Sequence, residues 1–303
     1  GMGSMMFWGA LSLAIGIRTA VQTVTARRLG QGLYKESGVA LRNGLVLATL
    51  YSLPTSFFVW KYSDSLARFF IEDPSATPLT TDYVSIVFIG LLFSSYSFVF
   101  QGFFTGIEKT KIHMKVTIIS NVLNVYLNAG LIYGSSGVEE FFNEHLSIIS
   151  FLSSLWGWAN FPSLGVKGAA IATLISSFWM AAHYAVSLLS KQTNERYSVF
   201  RFSFDSEMMK RQVQLALPQG LQESVIALGW GVFYKIVGII GLVELATTEL
   251  LFTIMHASFM PAMGVGQACS TLVSKYMGQG RIKKSETSIR ESVRIAEYIM
   301  APM

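Results

Sequence analysis

Seven apolar runs divide this chain, near residues 2–24, 39–60, 83–105, 114–134, 166–190, 213–238 and 243–273, and an eighth begins near 289. Each is close to the roughly 20 residues that an α-helix needs to cross a bilayer. Because hydrocarbon offers backbone N–H and C=O groups no partner, runs of this kind have to satisfy their hydrogen bonds internally, as helices do. The expected class is therefore all-α, a polytopic transmembrane bundle. Only 14% of the 303 residues are charged, against roughly 25% in ordinary soluble domains. A single cysteine, Cys269, excludes a disulfide within the chain and any multi-cysteine metal site. The first 24 residues carry neither a basic leader nor a clear cleavage site and do not read as a signal peptide.

The net charge of +5 is explained by its distribution and calls for no nucleic-acid partner. Of 23 Lys and Arg residues, 18 fall in alternate connections, in the groups 27–42, 109–115, 191–211 and 275–294. The intervening connections hold Lys61, Arg68, Lys167 and Lys235, together with Asp64, Glu72, Asp73, Asp82, Glu139, Glu140, Glu144 and Glu244. By the positive-inside rule the basic connections are expected to face the cytoplasm, and the expected location is the plasma (inner) membrane. The long outer connection holds an acid-flanked aromatic segment at about 138–160 that is expected to lie in the interface, with Trp156 and Trp158 near the headgroups.

Residues 16–42, GIRTAVQTVTARRLGQGLYKESGVALR, recur 248 positions later as residues 264–290, GVGQACSTLVSKYMGQGRIKKSETSIR, with nine identities over 27 ungapped positions. Both copies end one span, make a basic turn and begin the next. Two copies on one side of the membrane imply a parallel duplication about an axis along the membrane normal, a symmetry found in secondary transporters. The expected organisation is a first lobe at 1–190 without its first helix, a cytoplasmic linker at 191–211, and the start of a second lobe at 212–303. On this reading the chain is a window onto a longer protein, with one helix expected before it and most of four after it.

Gly30-Gln31-Gly32 and Gly278-Gln279-Gly280 lack the preceding strand that a phosphate loop requires, so their glycines are expected to serve a tight helix end and turn. Ionisable groups inside apolar runs are more informative, because burying a charge there is costly. Glu223 lies about 15 Å into its span at 1.5 Å per residue, and is either a structural acid or a cation or substrate ligand of the second lobe. Glu249 is close enough to a span end to snorkel to water, Arg18 either faces a water-filled cavity or reaches the cytoplasmic interface, and His183 and His256 suit hydrogen-bonded packing. Asn121, Asn124 and Asn128 share one helical face. Carboxamides in hydrocarbon need partners, so the stripe either forms an interhelical hydrogen-bond ladder or lends oxygens to a cation. Gln101 and Gln222, with Asn121, are the further polar candidates for lining a substrate cavity.

The runs ARRLGQG, FQGFFTGIEKTK, NVLNVYLNAGLIYG, LGVKGAAIAT, LPQGLQ and GVGQACSTLVSKYMGQG, in this order, resemble the multidrug and toxic compound extrusion (MATE) transporters. The resemblance covers essentially the whole chain. It implies a twelve-helix bundle in two six-helix lobes around a central cavity, exporting small-molecule organic cations in exchange for H⁺ or Na⁺, with no cofactor and as a monomer when complete. It places Asn124, Asn128 and Thr173 on the positions of the first-lobe cation site, whose aspartate would lie on a helix upstream of Gly1. The family's second acid lies about eight residues after a proline, whereas here Glu223 follows Pro218 by five and Ile226 by eight, one helical turn apart. A lipid-linked precursor flippase of the same superfamily would need several basic side chains in the cavity, where the spans offer Arg18. A membrane-embedded hydrolase or metalloprotease would need G-x-S-x-G or H-E-x-x-H, and neither occurs, so the chain is not expected to be an enzyme. A non-transporting membrane scaffold is the remaining alternative.

Overall fold

The computed structural model describes residues 2–70, 76–201 and 203–301; Glu72 and Asp73 of the outer acidic set lie outside them. Every regular element among the described residues is a helix. In chain order these are α1 (Met2–Gly30), α2 (Tyr34–Lys61), α3 (Ser63–Phe70), α4 (Ala76–Ile89), α5 (Leu91–Gly106), α6 (Thr110–His145), a 3₁₀ turn (Ser147–Ser153), α7 (Ser154–Gly157), α8 (Val166–Leu188), α9 (Lys191–Tyr197), α10 (Ser206–Ile240), α11 (Leu242–Gly278) and α12 (Ile282–Met300). Among them α6, α8 and α10 are long and apolar enough to cross a membrane, and α4 with α5 would make a fourth crossing as a bent pair. With 29, 28 and 37 residues, α1, α2 and α11 also have the length for a crossing. Val225, Ile239, Ile240 and Val243 of α10 and α11 are exposed, as side chains whose solvent is lipid would be.

Two of the apolar runs depart from single straight helices with plain ends. The run at 83–105 is not one straight helix: α4 and α5 meet at a 45° bend, where the Gly90 N–H bonds back only three residues, to the Val87 carbonyl. That tighter bond takes the chain out of the α-helical ladder for one residue. The run at 114–134 ends where expected, at Gly134, whose φ of 75° breaks α6, but helix resumes beyond it through His145.

The chain forms two compact units. The first draws on Gly1–Leu11, Ala48–Ser97 and Lys111–Ser187. Here the segment that follows α6 folds back on it: the Trp156 indole donates to the Tyr126 carbonyl at 2.8 Å and stacks on its ring at 5.1 Å. Ser135 ties the return strand of chain, donating to the Trp156 carbonyl and accepting from the Phe161 N–H. Trp158 stays exposed.

The second unit draws on Ser12–Leu47, Phe98–Thr110 and Leu188–Met303, and it contains both copies of the repeat. Their turns are superimposable bond for bond. Gln31 N–H to the Arg27 carbonyl is repeated as Gln279 to Lys275, both at 3.1 Å; Leu33 to Arg28 is repeated as Arg281 to Tyr276, both at 2.9 Å. Gly32 and Gly280 take φ of 77° and 70°, the left-handed conformation in which glycine avoids a Cβ clash. Ser37 and Ser285 each donate back across the turn, to the Thr25 and Val273 carbonyls. The copies also pack on each other reciprocally: a Cβ on Gly30 would collide with the Lys275 carbonyl, and one on Gly278 with the Arg27 carbonyl. The Gln22 carboxamide closes the same seam by donating to the Gln267 carbonyl and the Thr271 hydroxyl at 3.0 and 2.8 Å. Lys275 meets both carboxylate oxygens of Glu108 at 2.8 Å.

The polar stretch expected to join the lobes is strapped down within this unit. Arg42 donates to the carbonyls of Ser198, Val199 and Ser203, Asn43 donates to the Asp205 carbonyl, and Gln212 donates to the Ala40 carbonyl. Asp205 also caps α10, accepting from the Met208 N–H at 3.0 Å, a favoured N-cap arrangement.

Candidate cation site

In the first unit α6 and α8 cross where a Cβ on Gly168 would meet the Leu131 carbonyl. That close approach carries the polar faces of the two helices together, and a directed chain of hydrogen bonds results. Asn128 Nδ2 donates to Asn124 Oδ1 at 2.9 Å, and Asn124 Nδ2 donates to Ser176 Oγ at 3.3 Å. The first link follows from the four-residue spacing of the asparagines on one helix. Ser176 is buried, and both asparagines are half-buried. Thr173, three residues before Ser176, donates to the Ala169 carbonyl of its own helix at 2.9 Å, which leaves the lone pairs of its hydroxyl oxygen available. Asn121 is exposed and stands outside the chain.

The structure thus brings Asn124 and Asn128 together with α8, through Ser176 and not through Thr173. Ser176 was not singled out by sequence; its signal was its place one turn beyond Thr173 on the same helix. Chemically the group presents neutral oxygens, the donor type suited to hard cations such as Na⁺. Neutral oxygens do not cancel a cation's charge, and no cluster of three or more His, Cys, Asp or Glu residues able to hold a metal occurs among the described residues. Ser120, one turn before Asn124, has a buried hydroxyl without a hydrogen-bond partner among the described residues.

Glu223, Gln222 and Gln101 belong to the second unit. Glu223 is half-buried on α10 and accepts a hydrogen bond from Gln219 at 3.2 Å. Gln222, its neighbour in sequence, is exposed, and Gln101 is half-buried on α5. Arg18 of α1 lies within electrostatic reach of Glu223. Its guanidinium sits 5.9 Å from the Phe98 ring centroid, with Nε buried and without a partner among the described residues.

The MatE family model matches residues 1–129 and 226–303, more than half of the chain. The chain is 24% identical over 282 residues to the probable multidrug resistance protein NorM of Thermotoga maritima, covering 92% of this chain and 55% of that protein. It is 24% identical over 284 residues to the multidrug resistance protein NorM of Burkholderia vietnamiensis, again covering 92% and 55%. Among solved structures it resembles a MATE protein in complex with Br-NRF, with a TM-score of 0.78 at 21% identity over 97% of this chain and 62% of the other. A MOP superfamily transporter from Pyrococcus furiosus, described as having a binding pocket of reverse polarity that suggests a different function, gives a TM-score of 0.80 at 21% identity over 97% and 60%. The chain therefore spans between half and two thirds of the length of these relatives.

Proposed function

The chain belongs to the MatE family, and from that premise we propose that the intact protein bearing it exports organic cations or drugs by antiport with H⁺ or Na⁺. The observation that carries this reading is the hydrogen-bonded chain Asn128–Asn124–Ser176, set between two helices of membrane-crossing length. Polar side chains within such helices are costly to keep unless they are paired or used, and here they are pre-oriented with oxygens left over. A carboxylate from a further helix would supply the charge that this group lacks. Glu223, steadied by Gln219, is proposed as the corresponding acid of the second lobe.

The lobes at 1–190 and 212–303 would give alternating access by rocking about the midplane. The reciprocal Gly30–Gly278 seam supports that reading, since it closes repeat-related helix ends on one another at the basic side, proposed to be cytoplasmic. The strapped 191–211 stretch would then travel with α2 rather than act as a slack tether.

The test is ion-driven substrate flux, normalised to folded protein, in the intact protein carrying this sequence. Asn124→Leu and Asn128→Leu should each lower gradient-coupled flux at least about tenfold, the loss of roughly 1.4 kcal/mol of ligand interaction. Asn121→Leu, on the same helix but outside the hydrogen-bonded chain, should leave it within about threefold, since a transmembrane hydrogen bond averages only about 0.6 kcal/mol. Unchanged flux in both the Asn124 and Asn128 variants would return these residues to a packing role.

A further inference from the structure

The α1–α2 turn carries a feature that transport does not use. A depression of about 320 Å³ opens there, lined by Gly32, Leu33, Tyr34, Lys35, Glu36 and Arg196. Its charges are unevenly matched. Glu36 is engaged by Arg28 at 3.0 Å, whereas neither Lys35 nor Arg196 has a carboxylate within ion-pair distance among the described residues. Arg196 is held instead by an aromatic face, its guanidinium 4.2 Å from the Tyr34 ring centroid. Beyond its interaction with Tyr34, a guanidinium stacked in this way still has in-plane N–H donors to offer an incoming acceptor.

The surroundings strengthen the positive field. Lys109 is tied to Thr193 on the same short helix as Arg196, by a 3.0 Å hydrogen bond. Burial first, and then the Arg196 charge, hold the Lys109 ammonium below its ordinary value. The adjacent acid, Glu108, is already bound to Lys275 through both oxygens. Lys35 and Arg196 thus line the recess without ion-pair partners among the described residues, while the acid that lines it with them, Glu36, is bound by Arg28, an arrangement that a bound anion would complement.

The rim decides which anion. Leu33 and Tyr34 are 40% and 36% exposed beside the two cations, so an apolar and aromatic edge adjoins the basic floor at the end of two long helices. Free phosphate would make no use of that edge, whereas the glycerol and upper acyl region of a lipid would cover it. Basic recesses at the cytoplasmic ends of transmembrane helices suit anionic headgroups for the same reason. We propose that the recess formed by Lys35, Arg196, Leu33 and Tyr34 binds the phosphate headgroup of an anionic phospholipid from the leaflet that meets the basic connections. The proposal rests on the membrane orientation given above and is independent of the transported substrate.

The experiment is lipid retention by the purified intact protein, measured by native mass spectrometry with phosphatidylglycerol and phosphatidylcholine in competition. Each basic residue near an anionic surface is worth about 1 kcal/mol, or about fivefold. Lys35→Gln/Arg196→Gln should therefore reduce phosphatidylglycerol retention by about 25-fold and leave phosphatidylcholine unchanged. Lys35→Arg/Arg196→Lys should restore most of it, which separates loss of charge from loss of fold. The double change Lys283→Gln/Lys284→Gln, at the second copy of the turn, should have little effect. Equal retention in the wild type and the glutamine double variant would overturn the proposal. So would full displacement of the lipid by inorganic phosphate, which would make the recess a site for free anions. Because the readout is lipid retention, a failure here would leave the flux test untouched, and the reverse also holds.

Discussion

Ser176 shows what a single hydroxyl does in the candidate site. It receives the Asn124 amide and so fixes the direction of the whole hydrogen-bonded chain. Ser176→Ala should cost little stability, about 0.6 kcal/mol by the average for transmembrane hydrogen bonds, while shifting the ion dependence of flux several-fold because Asn124 loses its orientation. Thermal unfolding and ion titrations of flux on the same preparation check this; a marked stability loss with unchanged ion dependence would contradict it. A second residue-scale expectation concerns Tyr197, buried against Phe103 at the end of α9. Burial, the leading cause, pushes its phenol above the ordinary tyrosine value, although the neighbouring Arg196 charge pulls the other way. A group raised on folding contributes stability that is whole below its unfolded pKa, about 10, and is lost as pH rises through the folded value. Tyr197→Phe should accordingly flatten the loss of thermal stability in detergent above about pH 10; an unchanged alkaline slope would show that this phenol does not contribute. The asparagine stripe was legible in sequence because a 3.6-residue period places side chains on a face. Its partner was not, because which hydroxyl of α8 meets Asn124 depends on a helix crossing that no local pattern encodes.

At the scale of elements, the repeat was the most legible feature, and the structure gives its cause. Gly30 and Gly278 occupy equivalent positions because each copy presses on the backbone of the other, and Gly32 and Gly280 because each turn needs a left-handed residue. Magnitudes separate the contributions to the seam. Lys275 and Glu108 are 24% and 39% exposed, and pairs of that kind contribute about 0–1 kcal/mol, so Glu108→Gln should alter the open-to-closed ratio by no more than about fivefold. Gly30→Ala drives a Cβ into backbone, which has no rotamer by which to yield, and should hold the seam open. Distances between spin labels at Arg28→Cys and Tyr276→Cys, in a Cys269→Ser background, report both; equal responses to the two substitutions would contradict this account of the seam. Other elements were hidden from sequence. The 45° bend between α4 and α5 lies in an unbroken apolar run, where hydropathy carries no signal for a one-residue change in hydrogen bonding. The docking of the 191–205 stretch depends on Arg42 finding carbonyls more than 150 positions away.

For the whole molecule, the alternation of basic and acidic connections, the duplicated turn and the apolar helices converge on an all-α membrane protein of the MatE family. Its parts bear on what it does: pre-oriented neutral oxygens between α6 and α8, a half-buried carboxylate on α10, and repeat-related ends that close reciprocally. Together these support the proposal that the intact protein is a cation-coupled exporter; a scaffold would have no need of a paired polar chain in hydrocarbon, and a flippase for anionic lipid precursors would line its path with more cations than Arg18. The most direct measurement is uptake of a fluorescent organic cation into proteoliposomes containing the intact protein, with an H⁺ or Na⁺ gradient imposed and then collapsed by an ionophore. The account predicts uptake that follows the direction of one of these gradients and stops when it is collapsed; folded, reconstituted protein that moves no cation, or moves it at the same rate with and without a gradient, would contradict it.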